Sequence, residues 1–265
     1  MELDDAYANT PYIPNGPEFP DTWRRDSDAF RQRMSVLGRA RLGVMYGHGP
    51  REIVDVFMPD GVPKGLFVFV HGGFWRMFDS SYWSHFAEGA LARGWAVAMP
   101  TYDLCPRVRI ADITRQIAAA ISVIARDVSG PIRLAGHSAG GHLVARMISP
   151  GVLPDDVLAR VAKCVPISPL SDLRPLIQTS MNDDFKLDEA SAAAESPVLM
   201  ARPSVPVTVW VGGDERPAFL DQAKWLADAW SCDCVIDPEK HHFDVIDGLV
   251  IPDSPLMQAI FDAQA

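Results

Sequence analysis

The sequence predicts an α/β domain: about eight strands in a mostly parallel, doubly wound sheet with helices on both faces. Three observations carry that prediction. Short apolar runs alternate with helix-patterned stretches from residue 66 onward. The segment Gly136-His-Ser-Ala-Gly140 stands between one such run and one such stretch, as a strand–turn–helix junction requires. With 265 residues, 48% of them hydrophobic, the chain can bury one large core.

Taken in order, residues 1–40 read as an N-terminal arm and a helix. The arm is rich in Pro and Asn with scattered Tyr7, Tyr12 and Phe19, and Trp23, Phe30, Met34 and Leu37 then recur at helical spacing. Two extended runs, Leu42 to Tyr46 and Glu52 to Met58, flank Gly47-His-Gly-Pro50 and predict a hairpin. Gly47-x-Gly49 lacks the third glycine and the helix of a dinucleotide loop.

Further strands are expected at Leu66–Val70, Trp95–Thr101, Ile132–Ala135, Cys164–Ile167, Val207–Val211 and Cys234–Asp237. Helices are expected at Ser80–Arg93, Ile110–Asp127, beyond Ser138 and at Arg216–Trp230, giving right-handed crossovers. The irregular, Pro-containing stretch of about 170–202 reads as a small cap inserted after the sixth strand, within a single domain spanning 1–265.

The bulk properties exclude several roles. A formal charge of −10 repels a phosphate backbone and an anionic membrane surface, so neither nucleic acid nor a membrane is an expected partner. The acidic start Met1-Glu-Leu-Asp-Asp5 is followed by prolines rather than an apolar core, which argues against a secretory signal and for a cytoplasmic protein. The cysteines at 105, 164, 232 and 234 have neither zinc spacing nor a C-x-x-C pair and read as free thiols. H-E-x-x-H, a Walker loop and a dinucleotide fingerprint are absent, so no metal or organic cofactor is expected. The sequence leaves assembly as a homodimer open.

In a doubly wound sheet, the loops at the carboxyl ends of the strands gather on one edge and hold the ligand. Ser138 lies there, in the elbow that exposes a hydroxyl at a helix start. A serine hydroxyl needs a neighbouring base to become a nucleophile. The turn Val211-Gly-Gly-Asp214-Glu215 and the pair His241-His242 follow the last two strands. In the order Ser, Asp, His they match the α/β-hydrolase arrangement. Glu215 and Asp172 compete with Asp214 for the acid, and His241 competes with His242 for the base. Gly72 and Gly73 follow the third strand, where their N–H groups, with that of Ala139, would form an oxyanion hole. Phe74, Trp75 and Tyr102 are candidates for an apolar substrate wall, and Arg76 and Arg107 for pairing with a substrate carboxylate.

His71-Gly-Gly-Phe-Trp75, Tyr102-Asp-Leu-Cys-Pro106, Gly136-His-Ser-Ala-Gly140, Ser168-Pro-Leu-Ser-Asp172, Ser196-Pro197 and His242-Phe-Asp together resemble the kynurenine formamidase (arylformamidase) family of α/β-hydrolases. The likeness runs from about residue 42 to 250. It is similar also to broader esterases with a His-Gly-Gly-Gly motif, but Phe74 occupies the fourth position here. The resemblance implies Ser138 as nucleophile, Asp214 as acid and His242 as base, acting without a cofactor on a small-molecule ester or amide such as N-formylkynurenine. A short-chain carboxylesterase or thioesterase on the same triad is the alternative, and a non-catalytic ligand-binding homologue a remoter one.

Overall fold

The computed structural model describes residues 2–262. Eight strands form one sheet: β1 (Ala40–Met45), β2 (Ile53–Phe57), β3 (Leu66–Val70), β4 (Ala96–Pro100), β5 (Ile132–His137), β6 (Val161–Ile167), β7 (Thr208–Gly212) and β8 (Asp233–Asp237). Their spatial order is β1-β2-β4-β3-β5-β6-β7-β8. β2 runs antiparallel to both β1 and β4, and every other pairing is parallel. The order reverses at β3, whose neighbours are β4 and β5, and this switch point opens a crevice at the carboxyl ends of the strands.

The central strands are buried on both faces, which explains their continuous apolar runs. Side chains alternate between two cores. Leu66, Val68 and Val70 of β3 join the helices Ile110–Asp127, Ala139–Met147 and Pro217–Trp230 on one face. Phe67 and Phe69 join the helices Phe19–Val36 and Pro255–Phe261 on the other. No helix among the described residues is long and apolar enough to cross a membrane.

Two elements differ from expectation. The stretch expected as one helix over Ser80–Arg93 is two 3-10 segments, Ser80–Tyr82 and Ser84–Ala87, followed by the short helix Glu88–Ala92. Side-chain hydrogen bonds hold its start: the Asp79 carboxylate caps Ser81 N–H, Ser80 Oγ donates to Asp55, and Ser80 N–H donates to Thr101 Oγ1. Pro255–Phe261, capped by Ser254, has no counterpart in the expected elements. Between β6 and β7 the chain makes only short helical pieces, the longest being Glu189–Ala194.

Candidate active site

The elbow after β5 is set by backbone sterics. A Cβ on Gly136 would overlap the carbonyl of Gly140, and one on Gly140 would overlap the carbonyl of Val70. Strand and helix can cross this closely only because both positions lack side chains. Between them Ser138 takes φ 57 and ψ −117, a strained conformation for a non-glycine residue. It immediately precedes the helix Ala139–Met147, and Ala139, its first residue, has no N–H partner within that helix.

The loop after β3 lies against the elbow. A Cβ on Gly72 would stand 2.9 Å from the His137 carbonyl oxygen and 3.2 Å from Ser138 Cβ. Gly73 has φ +109, and Phe74 and Trp75 continue in the left-handed region at φ 50 and 54. The N–H groups of Gly72, Gly73 and Phe74 donate no backbone hydrogen bond to the described residues. Beneath the loop, the His71 ring stacks on Tyr102 at 4.2 Å, and Tyr102 Oη donates to the His71 carbonyl at 3.0 Å. Burial holds the His71 pKa down at about 4, so this ring is a neutral platform.

The carboxylate that meets a histidine here is Glu215. His242 Nδ1 lies 2.5 Å from Glu215 Oε2, with both side chains almost wholly enclosed. The other oxygen, Oε1, accepts from Ser168 Oγ at 2.5 Å and from Gly212 N–H at 2.8 Å. A carboxylate held from both sides this way fixes the histidine tautomer: Nδ1–H is donated to Glu215, and Nε2 is left as the basic nitrogen. The ring itself packs at a tilt against Phe219, at 4.2 Å, and His137, at 4.6 Å.

The expectation for Asp214 is therefore corrected. Its side chain is exposed, and its N–H donates to the Lys240 carbonyl. The turn Gly212–Glu215 is closed by Glu215 N–H donating to the Gly212 carbonyl, so consecutive side chains leave in different directions and only the second faces His242. The competing residues have other partners. His241 Nδ1 pairs with Asp244 at 3.0 Å, and Asp172 is held by Arg174 at 2.6 Å. His142 Nε2 meets the Glu195 carbonyl at 2.7 Å. His137 is buried and driven well below its ordinary pKa by that burial, then by His242 beside it.

Ser138, His137 and His242 open onto one cavity of about 420 Å³. Phe74 lines it, but Trp75 and Tyr102 do not, which corrects their expected place on the substrate wall. Trp75 is in the core, edge-on to His142 and Phe185, and Tyr102 is the support under the glycine loop. Arg76 lines the cavity while paired with Asp184 at 3.0 Å, and Arg107 is exposed elsewhere. The aromatic wall is instead Trp23, Phe78, Trp83 and Phe243 with Phe74, closed by residues of the N-terminal arm. Helical spacing assigns Trp23 to a helix, and nothing local to its sequence shows that this helix flanks the site.

A family model described as alpha/beta hydrolase fold matches residues 67–206. Among curated proteins, the kynurenine formamidase of Salmo salar is 26% identical over 247 residues, covering 86% of this chain and 83% of its own. That of Drosophila melanogaster is 29% identical, covering 79% and 76%. Among solved structures, a protein of Silicibacter sp. TM1040, provisionally assigned as a thioesterase, superposes with a TM-score of 0.96 at 59% identity over 98% of this chain and 99% of its own. An esterase from Pyrobaculum calidifontis shares the fold at a TM-score of 0.69 and 18% identity, covering 91% and 89%.

Proposed function

Because the chain belongs to the α/β-hydrolase family, we propose that it is a serine hydrolase acting on small acyl esters or amides, with Ser138 as nucleophile, His242 as base and Glu215 as acid. One observation carries this reading: His242, held by the buried Glu215 carboxylate, shares a cavity with a serine at a strained helix start.

In the mechanism, His242 Nε2 takes the hydroxyl proton as Ser138 Oγ bonds to the acyl carbon. The charge on the carbonyl oxygen is received by N–H groups of Gly72, Gly73 and Ala139, which are preorganised and shielded from bulk water. The imidazolium, supported by Glu215, protonates the leaving nitrogen, oxygen or sulfur as its bond to the acyl carbon breaks. Water, deprotonated by the same imidazole, then attacks the acyl-serine and releases the acid with Ser138 restored.

For the substrate, an aryl formamide is favoured by the aromatic wall and by likeness to kynurenine formamidases. A thioester is the second reading, favoured by the 59% identical Silicibacter protein. Comparing kcat/KM for N-formylkynurenine, short p-nitrophenyl esters and an acetyl thioester separates them: a formamidase prefers the first by roughly tenfold or more, a difference of about 1.4 kcal/mol. Preference for either of the others overturns the formamide assignment. Fluorophosphonate should label the protein at Ser138, and Ser138→Ala should abolish labelling and lower kcat by on the order of 10⁴ to 10⁶. Labelling that persists in the variant would falsify the nucleophile.

A further inference from the structure

The arm that closes the cavity carries a polar group with no partner. Asn9 precedes the single 3-10 turn Thr10–Tyr12, a position where an Asn side chain ordinarily accepts a backbone N–H of that turn. Here it makes no such bond, and Pro11 removes one of the donors it could have used. The residue is only 7% exposed, lines the cavity, and its Oδ1 has no hydrogen-bond partner among the described residues. A buried oxygen left so is desolvated with no bond in return, and this one lines a cavity where a donor on a ligand could meet it.

The wall that presents Asn9 is built, not draped. Tyr7 is buried, and its hydroxyl accepts from Gln222 Nε2 at 2.9 Å; the Gln222 oxygen in turn accepts N–H bonds from Ser171 and Asp172. Arg216, the residue after Glu215, pairs with Asp5 at 2.7 Å and lies 3.6 Å from the centre of the Tyr12 ring. Asp4 accepts the Ser180 N–H at 2.6 Å. The segment flanking Asn9 is thus tied both to the helix after the acid and to the segment between β6 and β7.

We infer that Asn9 is a specificity-determining residue: its side-chain oxygen accepts a hydrogen bond from a donor group, a hydroxyl or an amine, on a substrate whose aromatic body lies against the Phe74, Phe78 and Trp83 side of the cavity. This assignment rests on the serine-hydrolase reading and adds to it what the leaving group must carry besides a ring. A site built to bond such a donor discriminates against an isostere lacking it, because the acceptor is then buried unpaired.

The test uses the full-length protein with phenyl acetates and formanilides bearing hydroxymethyl or ethyl at each open ring position. For at least one position, wild type should prefer hydroxymethyl over ethyl in kcat/KM by about tenfold. Asn9→Ala should bring that ratio close to one, and Asn9→Asp, which keeps the acceptor, should retain it and raise the preference for an aminomethyl substrate. Should Asn9→Ala fail to fold, Asn9→Asp still reads the assignment through the aminomethyl substrate. No preference at any position in wild type, or a preference that survives Asn9→Ala unchanged, overturns the role of Asn9. If wild type hydrolyses neither series and resists fluorophosphonate, the serine-hydrolase reading itself has failed.

Discussion

The cavity has two walls of different origin. One is made of loop residues at the carboxyl ends of β3, β5 and β8: Gly72, Gly73, Ser138 and His242. They are fixed by close backbone crossings and by buried hydrogen bonds, with Ser138 and His242 only 2% and 3% exposed. The other wall is the N-terminal arm, held by side-chain latches, one of whose residues, Tyr12, is 50% exposed. The scaffold wall is fixed by backbone crossings that admit almost no change of shape, whereas the arm wall is held by side-chain partners distant in the chain. On the proposed reading the chemistry sits on the first, and the second adds Asn9 to the aromatic recognition surface.

The largest expected effect separates the two neighbouring acids on the scaffold side. Glu215→Gln should lower kcat by roughly 10² to 10⁴ while leaving the fold intact, because the imidazole loses its tautomer-fixing acceptor. Asp214→Asn should change kcat by less than about threefold, as expected for an exposed side chain. Equal losses in steady-state assays would remove Glu215 from its role. Next, Gly140→Ala forces a methyl group into the Val70 and His71 carbonyls and should cost about 3 kcal/mol or more in urea unfolding. A variant as stable as wild type would mean that the elbow can shift, and that the walls differ less than the geometry implies.

Acid should weaken the structure chiefly through buried imidazoles. Burial lowers the pKa of His71, His85 and His142 to about 4, and that of His137 well below its ordinary value. Each stays neutral in the folded chain but is protonated in the unfolded one, so its contribution is complete above the unfolded pKa, about 6.5, and is lost as pH falls towards 4. Asp247, raised by burial to about 6, acts in the opposite sense between 3.8 and 6. The imidazoles outnumber it, so the urea midpoint should fall from pH 7 to pH 5. A midpoint that holds steady or rises would show that these rings are not buried neutral. The smallest effect belongs to the arm: Arg216→Ala should raise KM a few-fold with kcat nearly unchanged, through loss of the partly exposed Asp5 latch. A fall in kcat without a change in KM would place the arm's influence on the chemistry instead.

The scaffold wall was largely legible in the sequence. Apolar runs located the strands, and the glycine spacing around Ser138 and after Val70 reflects crossings that only glycine permits. The sequence favours Asp214, yet Glu215 is the carboxylate that meets His242, because Gly212-Gly213-Asp214-Glu215 turns so tightly that adjacent carboxylates point apart. The longer side chain, curled back by Gly212 N–H and Ser168, is the one that arrives. Trp75 and Tyr102 sit beside the right motif, but the left-handed run from Gly73 to Trp75 turns Trp75 into the core, and Tyr102 is held beneath His71. The arm was legible only as a covering segment. Its place over the site depends on Gln222, Arg216 and Ser180, partners far away in the chain and invisible to local pattern.

The packing of His242 against Phe219 and His137 has a further consequence. Both neighbours crowd the ring at tilted contacts, and the Nδ1 bond to the buried Glu215 carboxylate favours one of its two ring orientations. On the proposed mechanism, the arriving acyl group meets a base whose heading was set when the chain folded.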